Sequence, residues 1–296
     1  MEELGYRPNW AGRALRRQRT GLVGAIVSAP NNPWRENLIA RAQSELALHD
    51  LDLVVFPDAQ PGAGLDRVLD LLDRRAVDAC FTVHLEDDEH PSHLAERPIP
   101  AIAFAETGFE GVAKVRHDYA AAAADCADGL VARGVRRFIL VLEGEVNQSH
   151  RDKIFASPIR EAVARGSGVE VSAVQVPYRI SGELQGVPWE ELETATSEDP
   201  IVLLCISDRI ALQIAHECLS RGIALGRDVG VVGRGNLAES ARLPVPLSTL
   251  GAHDADYSSV FTALAEAATS GEAISQEWSF PWHFIERGST AGILGP

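Results

Sequence analysis

The chain has 296 residues, 46% of them hydrophobic and 23% charged, with a formal net charge of −15. That length and apolar content support a large core divided over two domains or subdomains. The acid excess repels nucleic acid and anionic membrane over most of the surface, and no apolar run reaches the roughly 18–20 residues that a membrane-spanning helix needs.

Charge is unevenly spread. Arg7, Arg13, Arg16, Arg17 and Arg19 against Glu2 and Glu3 give residues 1–20 a net charge of +3, which leaves −18 on residues 21–296. A basic end on an acidic body points to contact with a polyanion at that end alone. Pro8 suits the N-terminal edge of a helix, with Asn9 near enough to cap or start it. Only about ten residues follow before Gly21, too few for a stable isolated helix, and Gly12 lowers the propensity further. Such a helix is expected to form against a partner. Leu15 beside Arg13, Arg16 and Arg17 matches an apolar wedge with phosphate-binding neighbours, the arrangement that kinks DNA from the minor groove. On spacing alone, a solvated basic tail is the simpler alternative. The segment lacks the basic–apolar–small-residue pattern of a secretory signal, so the expected location is the cytoplasm.

Beyond Thr20, apolar runs alternate with amphipathic ones. The pattern predicts a strand over Leu22–Val27, a helix over Arg35–His49 and a strand over Leu51–Phe56. A helix over Leu65–Arg75 and strands over Ala79–Val83 and Ala101–Phe104 follow, then a long alanine-rich helix over Tyr119–Arg133. Next come a strand over Arg137–Leu142, a helix over Lys153–Arg165, a strand over Val169–Val176 and a helix over Trp189–Thr196. Ile201–Ile206 (strand), Asp208–Arg221 (helix) and Val229–Val232 (strand) complete the run. Leu247–Leu250, a helix over Asp254–Ser270 and a strand over Trp278–Glu286 read as late additions to the sheets. Apolar strands of about five or six residues, separated by helices of about 10–15, imply parallel sheets covered on both faces. So many strands exceed what one twisted sheet comfortably holds. The expected fold class is therefore α/β, with two doubly wound parallel-sheet subdomains preceded by a short helix.

Cys80, Cys126, Cys205 and Cys218 are widely spaced, with no CxxC pair, and read as small buried hydrophobes. The histidines show no HExxH spacing, so neither metal nor cofactor is expected. Glu86-Asp87-Asp88-Glu89-His90 reads as a solvated turn. There is no Gly-x-Ser-x-Gly elbow, Walker loop or post-strand Gly-x-Gly-x-x-Gly, so catalysis is not expected.

Leu4-Gly5-Tyr6-x-Pro8-Asn9-x-x-x-Arg13-x-Leu15, followed by Thr20-Gly21-x-x-Gly24, resembles the hinge region of the lactose-repressor/galactose-repressor (LacI/GalR) family of bacterial transcription regulators. The similarity runs on in order. It takes in Asn32-Pro33-Trp34, Arg75-Ala76-Val77-Asp78-Ala79, His117-Asp118 and Arg133-Gly134-Val135-Arg136-Arg137-Phe138. It continues through Ser149-His150-Arg151-x-x-x-Phe155, Ser207-Asp208-x-x-Ala211, Pro246-Leu247-Ser248-Thr249-Leu250 and Arg287-Gly288-Ser289-Thr290. Single motifs of this kind are weak; the ordered set is not.

The resemblance implies a periplasmic-binding-protein-like fold of type I. Residues 1–20 would be the remnant of a DNA-binding domain and its hinge helix. Residues 21–130 plus 251–276 would form the N-subdomain and 131–250 plus 277–296 the C-subdomain of an effector-binding core. It implies a homodimer, with Leu38, Ala42, Leu69 and Leu72 equally readable as interface or core. It also implies operator DNA contacted through Asn9, Arg13, Leu15 and Arg16. The family's helix-turn-helix reader is expected upstream of Leu4, so this sequence alone is expected to lack specific operator binding. No membrane partner is expected.

A small-molecule effector would bind at the carboxyl ends of strands, in a cleft between the lobes. Trp34 would stack on a sugar or base, or is an ordinary surface aromatic. Arg151 offers a planar fork of donors, or a surface ion pair. Asp118 and Asp208 are either helix caps or pocket residues. At Gly233-Arg234-Gly235-Asn236 the family usually has Gly-aromatic-Asp-Asp/Asn. Here Gly235 provides no carboxylate, Arg234 adds a positive charge and Arg35 replaces a common second aromatic. The candidate effector residues are therefore Trp34, Arg35, Asp118, Arg151, Asp208, Arg234 and Asn236, and the expected effector is a sugar or sugar derivative carrying a carboxylate or phosphate. The competing expectation is a solute-binding receptor of a sugar transport system, which shares the fold. A sugar-processing enzyme is a third, with no residues to nominate it.

Overall fold

A computed structural model describes residues 19–28, 33–58, 70, 73–83, 99–105, 112–143, 150–166, 168–176, 184–252 and 255–294. In chain order it contains β1 (Leu22–Ser28), α1 (Pro33–Ala47), β2 (Asp52–Asp58), β3 (Ala79–Val83), β4 (Ala101–Phe104), β5 (Ala113–Asp118), α2 (Tyr119–Ala132), β6 (Arg137–Glu143) and α3 (His150–Ala164). There follow β7 (Glu170–Val176), α4 (Trp189–Glu193), β8 (Ile201–Cys205), α5 (Asp208–Ser220), β9 (Val229–Arg234), a 3₁₀ turn (Ala238–Arg242), β10 (Ser248–Gly251), α6 (Ser258–Ser270), β11 (Trp278–Pro281), β12 (His283–Ile285) and α7 (Gly288–Ala291).

The chain folds as two units, one of residues Met1–Arg116 and Asp256–Ser279, the other of His117–Ala255 and Phe280–Pro296. Each is built on a six-stranded sheet, ordered β11-β5-β4-β3-β1-β2 in the first and β12-β10-β9-β8-β6-β7 in the second. The pairings β1–β2, β1–β3, β3–β4 and β4–β5, like β6–β7, β6–β8, β8–β9 and β9–β10, are parallel; β10–β12 is antiparallel. The central strands β3 (Ala-Cys-Phe-Thr-Val) and β8 (Ile-Val-Leu-Leu-Cys) are buried at every position. Continuous apolar runs do this because both faces of a parallel sheet are covered. The doubly wound α/β expectation is met.

In the first unit, Phe81, Phe104, Tyr257 and Phe261 interlock at ring separations of 5.4–6.1 Å. Leu38 and Ala42 of α1 are buried inside this unit, which makes them core residues of the chain itself. Asp78 explains its place in the Arg75–Ala79 turn. Its carboxylate accepts from Thr20 N at 2.9 Å and Gly21 N at 2.7 Å, and its own N–H donates to Leu22 O, so it pins the start of β1.

Three features differ from the sequence reading. β5 was not anticipated, because Lys114, Arg116 and Asp118 alternate with buried Ala113, Val115 and His117, a period-2 pattern rather than an apolar run. The strand expected over Trp278–Glu286 is two strands in different sheets, interrupted after Pro281, whose ring nitrogen cannot donate to a ladder. Helix α2, placed with the first lobe by a boundary at residue 130, belongs to the second unit. There Tyr119, Ala122, Ala123, Cys126, Ala127 and Leu130 join one core with Phe138 and Phe155. Of the helix expected over Leu65–Arg75 only Asp70 and Asp73–Arg75 are described, with Asp70 and Asp73 helical and Arg74 N–H donating to Asp70 O; the acidic run 86–90, Leu69 and Leu72 lie outside the described residues. No described helix is long and apolar enough to cross a membrane.

Candidate functional site

The chemistry-bearing residues of the second unit gather beyond the carboxyl ends of β8, β9 and β10, where ligands of open α/β sheets bind. Asp208 starts α5 directly after β8. It is not the cap: Ser207, in extended conformation, takes that place, its Oγ accepting from Ile210 N at 3.4 Å. Asp208 turns inward and is 1% exposed. Its Oδ2 accepts from Leu237 N (2.7 Å) and Ser240 Oγ (2.8 Å), and its Oδ1 from Thr249 Oγ1 (2.5 Å). Burial raises its pKa, and these same hydrogen bonds oppose the rise. The carboxylate ties α5 to the segment after β9 and to β10.

Asn236 is spent in the same way. Its φ of 51° lies in the left-handed region that asparagine tolerates. Nδ2 donates to Ala252 O at 2.9 Å, and Oδ1 accepts from Arg287 Nη2 at 2.6 Å, while Arg287 Nη1 donates to Leu247 O at 2.7 Å. The terminal Arg287-Gly288-Ser289-Thr290 motif is the other half of this buckle. Ser289 Oγ donates to Val231 O at 2.5 Å and accepts from Ser248 N at 2.8 Å, and Ser248 Oγ shares a 2.6 Å hydrogen bond with Thr290 Oγ1.

Arg234 ends β9 and is 9% exposed. Its guanidinium carbon lies 4.8 Å from the Tyr119 ring centroid and 5.2 Å from that of Trp282, two rings set at 81° to each other. Cation–π attraction of this kind strengthens when water is excluded. Tyr119 is fixed by its hydroxyl, which donates to Phe155 O at 3.0 Å. His117 completes the group, its ring 5.3 Å from Trp282 and 6.2 Å from Phe280. Burial, aided by the Arg234 charge, lowers the His117 pKa to about 3, so the imidazole is neutral.

The structure thus brings Asp208, Arg234 and Asn236 together around Gly233–Asn236, with Asp118 next to Tyr119. Asp118 is exposed and stands at the N-cap position of α2 without a side-chain cap bond. Arg151 lies in the first turn of α3, and its side chain is outside what the structure describes. Trp34 (half-buried) and Arg35 (1% exposed) open α1 in the other unit. Asn9, Arg13, Leu15 and Arg16 lie outside the described residues. Sequence reasoning missed His117, Tyr119 and Trp282 as neighbours of Arg234. Only their aromatic character could have flagged them, since they come from distant stretches of chain.

Among the described residues no cluster of three or more His, Cys, Asp or Glu could hold a metal ion. The four cysteines are buried and form no disulfide, and burial pushes the Cys218 thiol up to about 12 and those of Cys126 and Cys205 well above the ordinary range.

Residues 127–290 match the family model of the periplasmic binding protein-like domain. The chain is 23% identical over 258 residues to catabolite control protein A of Priestia megaterium, covering 84% of this chain and 75% of that protein. Its fold resembles that of a periplasmic binding protein/LacI transcriptional regulator from Alkaliphilus metalliredigens complexed with D-xylulofuranose, at a TM-score of 0.73 and 15% identity, over 91% of this chain and 99% of that one. It resembles equally the lac repressor dimer bound to operator and the anti-inducer ONPF, at a TM-score of 0.74 and 18% identity, over 96% of this chain and 99% of that one. The chain belongs to the periplasmic binding protein-like domain family.

Proposed function

We propose that the chain is the effector-binding and dimerisation core of a bacterial LacI-type transcriptional repressor, working in the cytoplasm as a homodimer. Its effector is a small sugar-derived metabolite bearing a carboxylate or phosphate, bound at the carboxyl ends of β8 and β9. The observation that carries this reading is the buried Arg234 guanidinium at the end of β9, the edge at which open α/β sheets bind ligands, in a chain whose relatives include an HTH-type transcriptional regulator. The basic strip with Asn9, Arg13, Leu15 and Arg16 would contact operator DNA, as a +3 segment on an acidic body suggests.

The chain passes between its two units after residues 116, 255 and 279. A ligand-driven change in the second unit would reach the first, and then the strip before Gly21, through these connections. An effector that favours one arrangement by 1–3 kcal/mol changes operator affinity about 5–150-fold. Two measurements test this. A thermal-shift screen of sugars, sugar phosphates, nucleobases and organic acids is expected to find a ligand that raises the melting temperature by mass action. The protein expressed from its complete reading frame is expected to prefer one promoter fragment over random DNA, and that ligand to change the preference. No preference under any condition would overturn the reading.

A further inference from the structure

The division between the two units falls inside two neighbouring strands. β5 carries residues 113–116 in the first unit and His117 and Asp118 in the second; β11 carries Trp278 and Ser279 in the first and Phe280 and Pro281 in the second. The two strands are hydrogen-bonded neighbours in their sheet, so the first and third connections leave the first unit as one ribbon. The second connection, after Ala255, lies in neither a strand nor a helix.

The ribbon is fastened on both sides of the division, each time within one unit. On the first side Glu277 pairs with Lys114 at 3.6 Å and with Arg116 at 3.3 Å. Glu277 and Arg116 are exposed, and ion pairs of that kind contribute little. On the second side the fastening is buried. The His117 ring lies 6.2 Å from Phe280 and 5.3 Å from Trp282, and Trp282 in turn lies 5.2 Å from the Arg234 guanidinium at the end of β9. Two rings hold that guanidinium, and they are not equally fixed. Tyr119 is tied by its hydroxyl to Phe155 O, whereas the Trp282 indole N–H makes no hydrogen bond among the described residues. Ring contacts place Trp282, so it is the ring that yields when Arg234 moves. Close-packed interiors hand such a displacement to the next side chain instead of absorbing it.

We infer that His117, Phe280 and Trp282 form a clasp that makes the first and third connections move as one, and that Arg234 is the residue through which the end of β9 sets it. His117 is a positioning residue here: it touches both Phe280 of the third connection and Trp282 beside Arg234. The clasp needs no ligand; its use in signalling rests on the effector-binding reading above.

The test uses the whole 296-residue chain with nitroxide labels at Glu266→Cys in the first unit and Ser197→Cys in the second, both exposed positions. The native cysteines are buried and do not compete for the label. Labelled chain is diluted with unlabelled chain, so that double electron–electron resonance reads the distance within one copy. His117→Ala and Trp282→Leu are expected to broaden the distance distribution about twofold, as a loosened hinge samples more arrangements. His117→Phe keeps a ring between Phe280 and Trp282 and is expected to retain the wild-type width. Arg234→Met is expected to broaden the distribution too, and to add nothing to His117→Ala, because both break one chain of contacts. Phe280→Leu preserves apolar bulk, and its expected broadening decides the question if His117→Ala does not fold. Variants that lower the melting temperature and leave the width unchanged would show packing without a clasp and overturn the proposal. So would an Arg234→Met chain of wild-type width, or one whose effect adds in full to that of His117→Ala. Unchanged widths leave the effector-binding reading to its thermal-shift screen, and a screen without a hit leaves the clasp to the measured widths.

Discussion

Gly233 and Asp208 are packed so closely that the glycine's missing side chain is what makes room for the carboxylate. A Cβ on Gly233 would overlap Asp208 Oδ1 and lie 3.0 Å from Asp208 Cα. Asp208 cannot give way, since three donors from two other segments hold it. Gly233→Ala is therefore expected to cost about 3 kcal/mol, at the upper end for overpacking, because relief of the clash breaks hydrogen bonds as well. Gly129 is the matched control. It lies inside α2, where an added Cβ meets nothing within 4 Å. Gly129→Ala is expected to gain roughly 0.5–1 kcal/mol from helix propensity. Urea denaturation of both variants checks the pair, and equal effects would refute the packing argument.

Removing the carboxylate should cost more than neutralising it. Asp208→Ala strands Leu237 N, Ser240 Oγ and Thr249 Oγ1 around a small void. At roughly 1–3 kcal/mol for each buried group left unsatisfied, a loss of about 3–5 kcal/mol is expected. Asp208→Asn keeps one acceptor for Leu237 and Ser240, and the Thr249 hydroxyl can rotate to accept from the new amide. Its expected cost is about 1 kcal/mol. An Asn variant as unstable as the Ala variant would mean that the charge matters more than the three hydrogen bonds.

The same reasoning applies to Asn236, where backbone and side chain act together. Asn236→Ala puts a β-carbon-bearing residue with no local hydrogen bond at a φ of 51° and also releases Arg287 and Ala252 O. The strain and the two lost bonds together predict a cost of about 2–4 kcal/mol. Asn236→Asp retains both the left-handed tolerance and the acceptor for Arg287, so it should lose less than half as much. Chemical denaturation ranks the two.

These cases show where the chain could and could not be read in advance. Fully apolar runs such as Phe138–Leu142 and Ile201–Cys205 announce buried parallel strands, because they are too short for a buried helix and rich in β-branched residues. β5 hid behind Lys114, Arg116 and Asp118, since a strand with one wet face looks polar when read as composition. The break at Pro281 also escaped notice, because apolar residues continue on both sides of it. At the site, Asp208, Arg234 and Asn236 were each picked out by motif, and they do lie together. The inward turn of Asp208 and the capture of Asn236 by Arg287 are tertiary facts, set by segments 29 and 51 positions away. Arg234's aromatic neighbours likewise arrive from Tyr119 and Trp282, which no local pattern connects.

His117 offers a prediction that separates its burial from its packing. Its pKa falls from an ordinary 6.5 to about 3 in the folded chain, first through burial and then through the Arg234 charge. The unfolded chain therefore takes up a proton that the folded chain refuses. The stability associated with neutral His117 is fully present above pH 6.5 and is lost as the pH falls from there toward 3. The slope approaches about 1.4 kcal/mol per pH unit, or roughly 2 kcal/mol between pH 7 and pH 5. His117→Phe keeps an aromatic ring against Phe280 and Trp282 and removes the titration. The wild-type chain is expected to lose about 2 kcal/mol more than the variant over that interval in urea denaturation. Parallel pH curves for the two proteins would show that His117 is protonated as easily folded as unfolded, and would remove the argument that the Arg234 cluster excludes water.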